Sequence, residues 1–306
     1  MIEVSGLTKT FGSRAAIDNL NFKINAGEIV GFLGPNGAGK STTMKILTGI
    51  MPASSGTARV AGFDVFEDSL QVKKNVGYLP ENPPVYLDMV VAEYLEYAAR
   101  LHLVPAKKLK AAVDLALEKA TLTEVRYRLI GNLSKGYRQR VGIAQAIVHD
   151  PKVMILDEPT VGLDPVQIIE VRELIKSLAG AHTVILSSHI LPEVTASCAR
   201  IIVINKVLIA DLGQVEAQQN FQMLVRNPSP ASISALSSVP GVMRVISLPS
   251  GDITRIKIEV MPGSPDLREV LLEIGMREKM KVLEFASEKL SLEEMFLRLT
   301  TQGSSP

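Results

Sequence analysis

The strongest constraint on this chain is a run that can build almost no core, GPNGAGKST at residues 34–42. Three glycines, a proline and an asparagine fall within seven residues, and a lysine and two hydroxyls close the run. An apolar segment, Ile29 to Leu33, leads into it and reads as a short strand. The following STTMKILTG reads as a helix, with Gly49 suited to its C-terminal cap. The order is strand, glycine loop, helix.

The spacing Gly34-x-x-x-x-Gly39-Lys40-Ser41 is that of a phosphate-cradling loop. Small residues let backbone N–H groups point at phosphate oxygens where a β-carbon would crowd them. The next helix aims its positive end at the same anion. Lys40 is placed for the outer phosphates; an ammonium at ~4 Å from a phosphate charge is worth roughly 4 kcal/mol at an effective dielectric near 20. Ser41 supplies a hydroxyl for Mg²⁺. Gly34, Pro35, Asn36, Gly37, Ala38, Gly39, Lys40, Ser41 and Thr42 are therefore the first candidate binding residues, and the ligand class is a nucleoside triphosphate. A guanine reader of the Asn-Lys-x-Asp type is not offered by Asn205-Lys206-Val207-Leu208, because Leu208 cannot pair with a guanine edge.

A second segment, VMILDEPTVGLDP at residues 153–165, delivers Asp157 and Glu158 to the end of an apolar strand. Asp157 suits the Mg²⁺ shell, and Glu158 is placed to polarise an attacking water. HTVILSSH is a further apolar run, ended by two serines and His189. Helical periodicity fills residues 91–148 and 166–180, and IIVINKVLIAD reads as two strands around Asn205–Lys206. Strands alternating with helices predict a largely parallel sheet with both faces covered.

After about residue 213 the pattern restarts as strand, helix, strand, strand, helix, strand and a terminal helix, SLEEMFLRL. That order predicts a small ferredoxin-like α+β domain. The expected organisation is residues 1–212, with a helical subdomain at about 88–148, a linker at 213–220, and an accessory domain at 221–306.

With 306 residues, two domains are expected. The net charge of +1 provides no field to hold nucleic acid, so none is expected as a partner. One cysteine, Cys198, excludes an internal disulfide framework, and it reads as a small buried hydrophobe. No run approaches the ~20 apolar residues a membrane span needs, and the start MIEVSGLTKTFG lacks the layout of a secretory signal, so a soluble chain is expected.

LSKGYRQR, residues 133–140, resembles the LSGGQ signature of the ATPase subunits of ABC transporters. The Walker A loop (34–41), the Walker B strand (153–158) and VGLDP as the D-loop complete the resemblance, which spans residues 1 to about 212. On the residues alone, Ser134 can cap a helix and Gly136 leaves N–H groups open to an anion. The resemblance implies a P-loop ATPase domain with a RecA-like core, an antiparallel β part and a helical subdomain. It implies ATP and Mg²⁺ as ligands. It also implies that Ser134 and Gly136 contact the outer phosphate held by a second subunit, so that two chains close head to tail, with Asp164 helping to join them. Phe11 falls at the adenine-stacking aromatic, against the alternative of a core phenylalanine. His189 falls at the switch histidine.

Departures from the pattern are specific. Glu81, in GYLPEN, stands where the family has glutamine; it can reach Mg²⁺ or its water but adds negative charge. Lys135 and Tyr137 replace glycine and glutamine, and Lys135 has two open readings, a pull on the partner's phosphate or a solvated side chain. The whole most resembles the ATPase subunits of bacterial type-2 ABC exporters, of the gliding-motility and multidrug-export kind. That implies an ATP-hydrolysing subunit, cytoplasmic and peripheral on the inner face of the cell membrane through separate permease subunits. Pro83, Pro84, Val85, Tyr86 and Met89 would dock the permease or pack within the helical subdomain. Two other functions stay in view. An ATPase of this type acting on ribosomes or DNA would be expected to carry two ATPase domains or a coiled coil. A regulator would bind ATP with little turnover.

Overall fold

The computed structural model describes residues 1–198, 200–212, 219–261 and 264–289. The chain divides into two compact units, Met1–Gly213 and Gln214–Pro306. No helix among the described residues is long and apolar enough to cross a membrane.

The first unit opens with strands β1 (Ile2–Phe11), β2 (Arg14–Ile24) and β3 (Ile29–Leu33), then helix α1 (Lys40–Leu47). Next come β4 (Ser55–Val60), β5 (Phe63–Asp64), α2 (Ser69–Asn75) and β6 (Val76–Leu79). Three helices follow, α3 (Val91–Leu101), α4 (Ala106–Lys119) and α5 (Lys135–Ile147). The unit closes with β7 (Val153–Asp157), α6 (Pro165–Ser177), β8 (Thr183–Ser188), α7 (Leu191–Thr195), β9 (Arg200–Asn205) and β10 (Val207–Leu212).

These strands form two sheets. One is antiparallel, in the order β2-β1-β4-β5. The other has six strands in the order β10-β9-β3-β8-β7-β6; five run parallel and β10 is an antiparallel edge. Every residue of β7 is buried, which is the pattern of a strand covered on both faces. Its alternate side chains feed different cores. Met154 and Leu156 pack with the helical region, including Leu95, Val113 and Val141. Val153 and Ile155 pack on the side of the antiparallel sheet, with Leu20, Phe32 and Met44. The six-stranded sheet is thus clamped between the helices and the N-terminal sheet, which fixes the loops at its strand ends.

The second unit comprises β11 (Gln219–Arg226), α8 (Pro230–Ser237), β12 (Val242–Ser250), β13 (Ile253–Val260), α9 (Arg268–Arg277) and β14 (Lys281–Lys289). Its sheet order is β12-β13-β11-β14, all antiparallel, so the two central strands are the first and third. That is the β-α-β-β-α-β arrangement expected for a ferredoxin-like fold. Leu236, Leu271 and Ile274 from both helices pack with Phe221, Met223, Ile256 and Ile258, giving this unit a core of its own.

One expectation needs correction. The segment read as a linker, 213–220, overlaps a strand, because β11 begins at Gln219, where pairing with β14 already runs through Gln219↔Lys289 and Asn220↔Glu288. Asn220 is buried and its Oδ1 accepts from Val260 N at 3.1 Å, so a residue polar enough to read as linker serves inside the sheet. The terminal segment SLEEMFLRL lies outside the described residues.

Candidate functional site

The carboxyl ends of β3, β7 and β8 meet at a cleft of about 740 Å³. It is lined by Phe11, Arg14, Ala15 and Ala16 from the first hairpin, the loop and helix start Asn36–Thr42, and Glu81, Glu158, Val161 and His189. Ligand sites at such strand ends are a general property of open parallel sheets.

The phosphate loop is built by close backbone approach. A β-carbon on Gly34 would fall 2.4 Å from the carbonyl oxygen of Ile204, and one on Gly39 2.3 Å from Ile17 Cγ2 and 2.7 Å from Ala16 O. Gly39 also sits at φ +97°, in the left-handed region that only glycine adopts freely. It is the N-cap of α1, with no capping side chain and no acid in the first turn. The first N–H groups of the helix therefore have no intrahelical acceptor and face the cleft, the arrangement that binds an anion. Lys206 N donates to Ala38 O at 2.8 Å, so the β9–β10 turn braces the loop from behind.

Lys40 is buried, at 6% exposure, and its ammonium donates to Gly34 O at 2.8 Å and Pro35 O at 3.3 Å. Glu158 Oε1 lies 3.4 Å from the same nitrogen. The other carboxylate oxygen, Oε2, is 2.9 Å from His189 Nδ1. Lys40, Glu158 and His189 thus form one contiguous chain of polar contacts along the cleft. Glu158 adopts φ +48°, unusual for a side chain of its size. Its N–H is held by Ser187, through the carbonyl at 3.2 Å and Oγ at 3.0 Å. Ser187 Oγ donates to Asp157 Oδ1 at 2.5 Å, so one serine orients both acids. Positive φ at a non-glycine residue costs on the order of 1–3 kcal/mol and persists only where neighbours impose it.

The remaining candidates fall in two groups. Phe11 is exposed and lines the cleft, with Lys9 Nζ 5.2 Å from its ring centre, which excludes the core-phenylalanine alternative. Asp157, at 2% exposure, is not among the residues lining the cleft but stands beside it at the end of β7. Ser134, Gly136 and Asp164 do not line it either. Ser134 is the N-cap of α5, accepting from Tyr137 N at 3.4 Å, and Asp164 is the N-cap of α6, accepting from Gln167 N at 2.9 Å. Gly136 has a packing reason of its own: a β-carbon there would meet Gln167 Cδ and Oε1 at 2.5 Å. Lys135 lies against Gly162, where a β-carbon would be 2.1 Å from its Nζ. Arg14, Val161, Ser187 and Lys206 were not singled out as site residues from the sequence, although Val161, Ser187 and Lys206 lay in segments already noted.

Val85 and Met89 pack on the helical core, whereas Tyr86 is half exposed and leans edge-on against Tyr94 and Tyr97. Cys198 packs on the same core, and burial pushes its thiol up to about 12. Among the described residues no group of three or more His, Cys, Asp or Glu gathers as a metal cage.

Over 98% of its length the chain is 33% identical to the ABC transporter ATP-binding protein YhcH of Bacillus subtilis, covering 96% of that protein. The chain belongs to the ABC transporter ATP-binding proteins. The ABC transporter family model matches residues 17–161, from the second strand of the N-terminal sheet past Glu158. The bacitracin transport ATP-binding protein BcrA of Bacillus licheniformis is 40% identical over 196 residues, 63% of each chain. Among solved structures, cbiO1 of Clostridium perfringens, part of the ABC transporter complex cbiONQ, superposes with a TM-score of 0.64 at 27% identity, over 70% of this chain and 88% of that one. This ABC protein is accordingly an ATP-binding ATPase.

Proposed function

We propose that the chain hydrolyses ATP as one of a pair of subunits that drive a separate membrane permease, in the direction of export. The observation that carries this reading is the contact chain Lys40–Glu158–His189 along the glycine-lined cleft. Lys40 offers a positive charge to the outer phosphates, and the open N–H groups at the start of α1 neutralise the rest. Phe11 offers an exposed ring for the base. Glu158 polarises the attacking water, and His189 holds the carboxylate and meets the phosphate undergoing attack.

The donor set also suits a divalent cation. Ser41 and Asp157 would hold Mg²⁺, with Glu81 reaching it or its water. Such an ion supplies charge neutralisation across the phosphates. The carboxylate at Glu81 differs from the neutral amide of the family pattern and makes the cation more important for charge balance here.

Ser134, Gly136 and Asp164 sit outside the cleft of their own chain, which supports a role on a second copy's nucleotide. The bacitracin-transport and cbiONQ relatives support a permease partner, and with it a place on the inner face of the membrane. The transport direction rests on the resemblance of GYLPEN and LSKGYRQR to exporter subunits.

The test is Glu158→Gln. It removes the base and keeps the shape, so ATP still binds while phosphate release falls by about 10²- to 10⁴-fold, the usual contribution of a positioned base. Turnover at the wild-type rate would remove Glu158 from the reaction.

A further inference from the structure

Glu193 lies on the short helix α7, outside the cleft, and is assigned no role by the family motifs. Its Oε2 accepts two hydrogen bonds, from Thr160 Oγ1 at 2.7 Å and from Ser188 Oγ at 3.0 Å. Thr160 stands two residues after Glu158, and Ser188 stands one residue before His189. Both hydroxyl residues are buried, at 8% and 1% exposure. Ser188 Oγ in turn accepts from Ile190 N at 3.0 Å, which fixes the turn that carries His189. One carboxylate oxygen therefore ties the segment leaving β7 to the segment leaving β8. Those two segments carry the pair whose 2.9 Å contact spans the cleft.

We infer that Glu193 is a positioning residue for hydrolysis, holding Glu158 and His189 in register through Thr160 and Ser188. This inference rests on the roles proposed for Glu158 and His189. The chemistry it requires is an acceptor with two lone pairs, not a charge. A glutamine carbonyl has both lone pairs and the same reach, whereas alanine leaves two buried hydroxyls without their partner. The nucleotide contacts of Lys40 and the start of α1 do not pass through Glu193, so binding and turnover should separate.

The experiment compares full-length Glu193→Ala, Glu193→Gln and the double variant Thr160→Ala/Ser188→Ala with the parent and with Glu158→Gln. Steady-state phosphate release, binding of a fluorescent ATP analogue and a thermal melt are read for each. Misplacement of a reacting group by ~1 Å costs on the order of a hundredfold, so Glu193→Ala is expected to lower kcat by about tenfold to a hundredfold. Its nucleotide affinity should stay within about twofold of the parent, a shift of under ~0.5 kcal/mol. Glu193→Gln should recover most of the loss, and the double variant should reproduce it. A parent-like kcat in Glu193→Ala, a Glu193→Gln as slow as the alanine variant, or a parallel loss of affinity would each overturn the inference. If Glu193→Ala does not fold, Glu193→Gln against the double variant gives the same decision. A slow Glu158→Gln beside a fast Glu193→Ala overturns only the positioning role; a fast Glu158→Gln overturns the catalytic assignment beneath it.

Discussion

At the scale of single residues, the site is made by what glycine and serine permit. Gly39 combines a left-handed backbone with two neighbours closer than 3 Å to any β-carbon it could carry, one of them the backbone oxygen of Ala16. Gly39→Ala must therefore move the first hairpin or the loop. Since each ~1.4 kcal/mol of misfit is a factor of ten, we expect ATP affinity to fall by about tenfold or more, measured by equilibrium binding. Unchanged affinity would mean that the loop tolerates the shift. The candidate binding loop was legible in the sequence because its function is local: nine consecutive residues suffice to specify the turn and the helix start. Glu158 was legible as an acid at a strand end. Its positive φ and its hold by Ser187 were not, because Ser187 comes from the neighbouring strand, thirty places along the chain from Asp157. Arg14 was missed, and Lys206 was read only as a turn, for the same reason, since hairpin tips carry no periodic signal that would aim them at a distant loop. Lys135 shows the reverse. The sequence left it between a phosphate and solvent, and the structure brings it to Gly162 of the next loop.

At the scale of elements, apolar periodicity located most of what the fold uses. Ile29–Leu33 is a strand, the run after it is a helix, and the covered strand β7 reads as an unbroken apolar segment, all because a parallel sheet buries both faces. The N-terminal antiparallel sheet was legible only through resemblance, since β1 and β2 carry repeated register shifts that blur alternation. The helical region joins the sheet partly through a histidine pair. His102, at the end of α3, stacks on His149, just beyond α5, with ring centres 3.7 Å apart. Burial holds both imidazoles below their usual range, that of His149 to about 4, where the neighbouring His102 lowers it further. His149 Nε2 meets Val76 O at 3.2 Å, a contact that opposes the shift. The unfolded chain binds protons near pH 6.5 and the folded one only near pH 4 at His149. Stability is therefore complete above about pH 6.5 and is lost as pH falls toward 4, at about 1.4 kcal/mol per unit of pKa difference for an isolated group. Melting temperature should drop between pH 7 and pH 5, and His149→Phe should flatten that slope. A slope unchanged by the substitution would place the pH dependence elsewhere.

At the scale of the whole molecule, the chain divides into two compact units, Met1–Gly213 and Gln214–Pro306, and β11 begins inside a segment polar enough to read as a linker. Each unit has its own core. The second copy in the proposed pair is written in the sequence only indirectly. Ser134 and the start of α5 form a helix N-terminus outside the chain's own cleft, with no acidic residue in its first turn, an arrangement suited to an anion brought by a partner. The central claim is that ATP is enclosed between the Lys40 loop of one copy and the Ser134 helix start of another. Light scattering of full-length Glu158→Gln, with and without ATP and Mg²⁺, tests it most directly. The account predicts that mass doubles with nucleotide and that Ser134→Arg, which blocks the helix start, prevents the doubling while ATP still binds the Lys40 loop of the single chain. A Glu158→Gln protein that binds ATP yet keeps the mass of a single chain, with its permease present as well as absent, would contradict it.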